Sequence, residues 1–329
     1  FWGYEAGWAF VVGKTASCAA MALTFASYAA PSHVRAVGVL AVVALTAVNY
    51  FGVQRSAWLT RLIVSFTLLT LAVVVIACFA GGQATSHHLT PFPGTGVRGV
   101  LQAGGLLFFA FAGYARIATL GEEVRDPART IPRAVTIALL ITLVVYAVVA
   151  VSALMAIGPT GLAATTAPLR AAVDVGRLHA VAPLVQIGGA IAALGSLLAL
   201  ILGVSRTTLA MSRDGYLPTA LTAVHPRYAV PHRAELAVGA VVVVLVATID
   251  LRGAIGFSSF GVLAYYAIAN ASAMTLTRGE HRPPRWLPML GLLGCVVLAV
   301  SLPLVSTLTG AGVLVLGALV FASRHQFRA

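Results

Sequence analysis

Apolar residues fill this chain in long blocks, and most charged residues fall in the short gaps between them. A bilayer core about 30 Å thick needs ~20 predominantly apolar residues for each helical crossing. On that scale the pattern predicts ten spans, over 6–30, 35–53, 57–80, 100–121, 132–157, 180–205, 234–250, 254–277, 286–303 and 305–323. The gaps carry turn and loop chemistry, in Pro31-Ser32-His33, in the Gly/Pro/His stretch from Gly81 to Gly99, and in Gly158-Pro159. Only the region around Pro303 separates the last two blocks, which predicts a tight helical hairpin over 286–323. With no soluble domain between blocks, residues 1–329 read as a single transmembrane domain of an all-α polytopic membrane protein.

Composition supports the same class. The chain is 60% apolar and 9% charged, with a mean hydropathy of +0.96. Soluble domains are about 45–50% apolar and about 25% charged. A soluble fold of this size buries only ~75% of its surface, so lipid must act as part of the solvent. The same numbers exclude intrinsic disorder, a collagen-like repeat and a secreted disulfide scaffold. Cys18, Cys78 and Cys295 each sit inside an apolar block without metal-ligand spacing and read as small packing residues. The chain opens at Phe1, with no Met and no signal-peptide pattern, directly into an apolar block, as a truncated chain would.

The net charge of +12 would suggest nucleic acid in a soluble protein. Here it fits the excess of Arg and Lys in cytoplasmic loops of membrane proteins, and no nucleic-acid partner is expected. Counted on alternating sides of the ten spans, fourteen arginines lie on one side and five on the other. The richer side, with Arg129, Arg133, Arg206, Arg227 and Arg233, is assigned to the cytoplasm, and the C-terminus with it. Lys14 and Arg116 are left inside spans.

The fourth block is the unusual one. It reads Gly104-Gly105-Leu-Leu-Phe-Phe109-Ala110-Phe111-Ala112-Gly113-Tyr114-Ala-Arg116. Glycine there has a packing reading, since small residues let membrane helices approach closely. The functional reading is a discontinuous helix whose unwound backbone faces a ligand, an arrangement tolerated only where it lines a protein cavity.

Phe-x-Phe-x-Gly-Tyr over 109–114, then Glu122-Glu123-Val-x-Asp126-Pro127-x-Arg129-x-Ile-Pro132-Arg133-Ala, resembles the sixth helix and following loop of amino acid permeases. These belong to the amino acid–polyamine–organocation superfamily. A second block, Ser205-Arg206 through Met211-Ser-Arg213-Asp214-Gly215-Tyr-Leu-Pro218, followed by His225-Pro226-Arg227, is similar to the loop after that family's eighth helix. The resemblance implies an inverted-repeat (LeuT-like) transporter fold, with the ten spans standing for family helices three to twelve and the first two absent. It implies secondary transport of an amino acid or related amine by alternating access, as antiporter or proton symporter, in the cell membrane. No cofactor is implied beyond proton or sodium coupling. The substrate site would comprise Phe109, Ala110, Phe111, Ala112, Gly113 and Tyr114, together with the missing first helix. Ala115 stands where many relatives carry an acid.

Further candidates each carry two readings. Lys14, the only lysine, costs roughly 3 kcal/mol at mid-bilayer, so it should face the protein interior, as a proton-coupling group or as a structural cation. Glu122 and Glu123 read either as an inner gate with nearby arginines or as solvated surface pairs. Gly188, Ala192 and Ser196 are spaced for helix packing, and Ser196 aligns with hydroxyls that hold sodium in sodium-coupled relatives. His87-His88 reads as a solvated pair, and Asn49, Gln102 and Asn270 as bonds between helices. An intramembrane enzyme finds no nucleophile–base set at one depth. A non-transporting sensor or assembly subunit remains the alternative to a transporter, and oligomeric state stays open.

The arginine count makes a direct prediction. Single cysteines near Arg129 and Arg227 should react with impermeant thiol reagents only from the cytoplasm, and those near Arg98 and Arg170 only from outside. Labelling of the Arg129 and Arg98 positions from one face would contradict the assignment.

Overall fold

The structure, a computed structural model, describes residues 1–52, 57–90, 96–111, 113, 124, 126–277 and 283–326. Among the described residues there are eleven α-helices and no strand. They are α1 (Trp2–Ala29), α2 (Val34–Tyr50), α3 (Ala57–Ala80), α4 (Gly96–Phe111), α5 (Pro127–Ala163), α6 (Pro168–Asp174), α7 (Ala182–Arg213), α8 (His232–Thr248), α9 (Leu251–Met274), α10 (Trp286–Ser301) and α11 (Leu304–Gln326). Each apolar block carries one helix, and seven helical stretches are long and apolar enough to cross a membrane. With α4 and α10 at 16 residues and α8 at 17, the remaining three reach only about 25 Å at 1.5 Å per residue. The short α6, which the apolar pattern did not predict, begins with Pro168, whose fixed φ suits a helix start.

The chain divides into two compact units. The first comprises Phe1–Leu59, Thr95–Phe109 and Ala193–Ala329. Its most extensive helix pair is α1 with α9. A Cβ added to Gly261 would lie 2.8 Å from the Cα of Gly13 and 3.0 Å from the carbonyl oxygen of Ala9, so the two backbones are in contact. The core beside this pair joins Cys18, Ala19, Ala22 and Leu23 of α1 to Leu197, Ile201 and Val204 of α7 and Val238, Val242 and Val246 of α8. The three- and four-residue intervals put each set on one stripe of its helix. Helix α7 stops at Gly215, where φ is +79°. The amide of Tyr216 donates to Met211 and that of Gly215 to Ser212, the paired bonds that close a helix end through a left-handed glycine.

The second unit comprises Thr60–Gly94 and Ala110–Ala192. Its core packs Val74, Ala77 and Cys78 of α3 against Ala153 and Ala156 of α5, Ala172 and Val173 of α6, and Ala182 and Val185 of α7. Gly188 of α7 faces Thr70 of α3 so closely that no side chain would fit, which supports the packing reading of that small-residue stripe.

Helix α5 kinks at Gly158, with φ of +67°. Pro159 has no N–H, so the carbonyl of Met155 loses its helical donor. The amide of Thr85 donates to that carbonyl at 3.0 Å, and the Nδ1 of His88 donates at 2.8 Å. Because a carbonyl only accepts, His88 carries its proton on Nδ1. This corrects the reading of both histidines as solvated, since only His87 is exposed. Asn270 also differs from expectation, bonding to Tyr266 within its own helix at 2.9 Å. All three cysteines are free and buried.

His88→Ala should therefore lower stability by about 1–2 kcal/mol, the cost of a lost donor to a half-buried carbonyl, with His88→Asn recovering part of it. Equal melting temperatures for wild type and His88→Ala would contradict this role.

Candidate functional site

Polar side chains inside a hydrocarbon-spanning fold must find partners in the protein, because no water is there to supply them. The first unit gathers such groups where α1, α9 and α4 meet. Lys14 of α1 is only 6% exposed. One turn on, Ser17 donates to the Gly13 carbonyl at 3.3 Å and shares a 2.6 Å bond with Ser258 of α9, leaving Ser258 as the donor between them. Ser259 donates to the carbonyl of Leu106 in α4 at 3.4 Å. The glycine contact between α1 and α9 makes this hydroxyl layer possible, since bulkier residues there would hold the serines apart. An aromatic group from the same three helices accompanies it. Phe10 meets Tyr265 edge-on at 5.4 Å, Tyr265 lies 4.5 Å from Tyr266, and Tyr266 meets Phe108 at 5.7 Å.

Helix α4 ends at Phe111 and Gly113 lies in a turn, inside the apolar block predicted over 100–121. In the second unit the hydroxyl of Tyr146 from α5 donates to the carbonyl of Ala110 at 3.2 Å, and its ring meets Phe111 edge-on at 5.2 Å. Phe109 and Phe111 are half-buried, while Ala110 and Gly113 are exposed, with open space around an added Cβ at Gly113. Ala112, Tyr114, Glu122 and Glu123 lie outside the described residues. In the loop beyond them, Asp126 and Arg129 approach to 3.9 Å with both side chains largely exposed, a solvated pair. Ser196 sits on an exposed face of α7 next to the fully buried Leu197.

Four participants went unnoticed in the sequence. Ser258 and Ser259 stand as a hydroxyl pair in the first third of the eighth apolar block, and that position was the available signal. Tyr146 gives no local signal, because its partner is a backbone carbonyl far along the chain. Glu235 is the fourth. It lies in the first turn of α8 with no exposure, and neither carboxylate oxygen has a hydrogen-bond partner among the described residues. Arg206 of α7 acts on it electrostatically. Its signal is periodicity, because Glu235, Val238, Val242 and Val246 share the buried stripe of α8.

Many apolar helices with hydrogen-bonded hydroxyls packed between them are features of a multi-pass membrane protein. A family model for the amino acid permeases matches residues 1–323, and the chain belongs to that family. It is 64% identical over 325 residues to an uncharacterized transporter of Mycobacterium tuberculosis, covering 99% of this chain and 74% of that protein. A branched-chain amino acid permease of Bacillus subtilis is 27% identical over 301 residues, 88% of this chain and 63% of the relative. A methylthioribose transporter of the same organism is 28% identical over 238 residues, 72% and 50% of the two chains.

Because the Glu235 carboxylate makes no hydrogen bond among the described residues, Glu235→Gln breaks none of them. Its thermal stability should stay within about 1 kcal/mol of wild type. A loss of about 3 kcal/mol or more, the size expected when a buried pair is broken, would show that the carboxylate is firmly paired.

Proposed function

We propose that this protein carries out secondary active transport of an amino acid, or a related amine, across the cell membrane by alternating access. The observation that carries this reading is Gly113 in a turn just past Phe111, the last described helical residue of α4, inside a block whose apolar pattern runs on to residue 121. Half-helix ends of this kind offer dipoles and free backbone groups to charged substrate groups. Gly113 leaves room for close approach of a ligand to the backbone. Phe109, Ala110, Phe111, Ala112, Gly113 and Tyr114 are assigned to substrate binding on this reading.

Membership of the amino acid permease family supports an amino acid substrate, as does the branched-chain amino acid permease among the relatives. Lys14 is assigned to proton coupling, Glu122 and Glu123 to an inner gate, and Ser196 to a sodium site if the coupling ion is sodium. The arginine-rich loops and the C-terminus face the cytoplasm on this reading.

Reconstituted protein should exchange radiolabelled leucine, isoleucine or valine in counterflow, with arginine and methylthioribose as comparison substrates. Gly113→Leu should cut exchange at least tenfold while membrane insertion is unchanged. Lys14→Ala should remove the pH dependence of uptake. Normal exchange by Gly113→Leu, or exchange of methylthioribose alone, would overturn the proposed site and substrate respectively.

A further inference from the structure

Helices α2 and α8 pack closely at one level and leave an open groove beside it. The close level is set by Gly239, where an added Cβ would stand 2.7 Å from the Thr46 hydroxyl. The groove has a volume of about 650 Å³ and is bordered by Val43, Ala47 and Tyr50 of α2 and by Leu236, Ala240 and Val243 of α8. Val43 and Leu236 are about half exposed, at 53% and 52%. In a membrane protein such a surface faces acyl chains, so its apolar lining alone selects nothing. The selective chemistry stands at one end.

Tyr50 closes that end within a group of rings. Its centroid lies 5.5 Å from His225, 6.0 Å from His232 and 6.4 Å from Tyr228. Aromatic side chains with polar tips collect at the level of lipid headgroups. Two exposed arginines share this end. The Arg227 guanidinium lies 5.6 Å from the centre of the Tyr228 ring, and Arg233 reaches only a backbone carbonyl, that of Ala220 at 3.5 Å. Neither forms an ion pair with an acid among the described residues. Arg233 also lies on the face of α8 that lines the groove, because 233, 236, 240 and 243 follow helical spacing. From Arg233 to Val243 the helix rises about 15 Å, half of a hydrocarbon core of about 30 Å. The groove is therefore one leaflet deep, apolar along its length and cationic at its mouth.

We propose that this groove binds an anionic glycerophospholipid, with one acyl chain along α2 and α8 and the phosphate held between Arg227 and Arg233. Guanidinium groups bind phosphate through paired N–H donors, and a nearby aromatic ring fixes the plane of Arg227. Zwitterionic lipids offer the same chains but carry a neutralising cation, so they fill the groove without selection.

The test uses the full chain in phosphatidylcholine vesicles doped with spin-labelled phosphatidylglycerol or spin-labelled phosphatidylcholine, reading the motionally restricted lipid by electron spin resonance. Wild type should hold phosphatidylglycerol several-fold in preference to phosphatidylcholine. Arg227→Gln with Arg233→Gln should abolish that several-fold preference, since arginines near the membrane surface attract anionic lipid. Both side chains are exposed, so the variant keeps its fold. Ala240→Phe, which fills the groove and leaves both arginines in place, should also reduce restricted phosphatidylglycerol. Equal retention of the two lipids by wild type, or a preference that survives the double substitution, overturns the proposal. So does efficient Ala240→Cys cross-linking into dimers in the same vesicles, which would make a second copy of the chain the occupant.

Discussion

The direct backbone contact between α1 and α9 is the constraint on which the first unit depends. Gly13 and Gly261 meet with no room for a side chain on Gly261 and a tight fit for one on Gly13, and this closeness brings Ser17 within 2.6 Å of Ser258. In lipid, helices gain little from burying apolar side chains against one another, so association rests on close packing and on bonds between helices. The glycine contact supplies the first and permits the second. Lys14 is buried beside it, and Ser259 extends the hydroxyl layer to α4. A larger residue at Gly261 would separate the helices and leave these polar groups without partners in a medium that supplies none.

The same medium explains where irregular backbone is tolerated. Pro159 frees a carbonyl within α5, and identifiable donors meet it. Thr85 and His88 serve Met155 where Pro159 withholds its amide, and Tyr146 serves Ala110 at the end of α4. The first arrangement is structural, since the kink and its donors close on one another. The second lies at the helix end that carries the proposed substrate site, where an exposed Gly113 follows. Glu235 contrasts with both as a carboxylate buried without a hydrogen-bond partner among the described residues. Burying such a group costs stability unless it is neutral or paired.

Helix positions were legible because the bilayer imposes a length on every apolar block, and each block carries a helix, with α5 and α7 running beyond theirs. The family was legible in the long motifs around Gly113 and Gly215, and the latter has a plain physical role as the left-handed close of α7. What escaped the sequence was pairing across distance. Nothing near Tyr146 announces Ala110, and nothing near His88 announces Met155, because both partners are backbone carbonyls far along the chain. Glu235 was missed for a different reason. Its spacing with Val238, Val242 and Val246 puts it on the buried stripe, and that periodicity was not followed back to the first turn of α8.

The account rests most heavily on the α1–α9 hydroxyl layer, and one cross-linking measurement tests it directly. With Cys18, Cys78 and Cys295 replaced by alanine, Ser17→Cys and Ser258→Cys would place two sulfurs where the oxygens now stand 2.6 Å apart, close to the ~2.05 Å of a disulfide. Mild oxidation of the doubly substituted protein in native membranes should join the two helices rapidly and nearly completely, and reductant should separate them. Two thiols that remain free under that oxidation would contradict the layer, and with it the close contact of α1 and α9 on which the first unit depends.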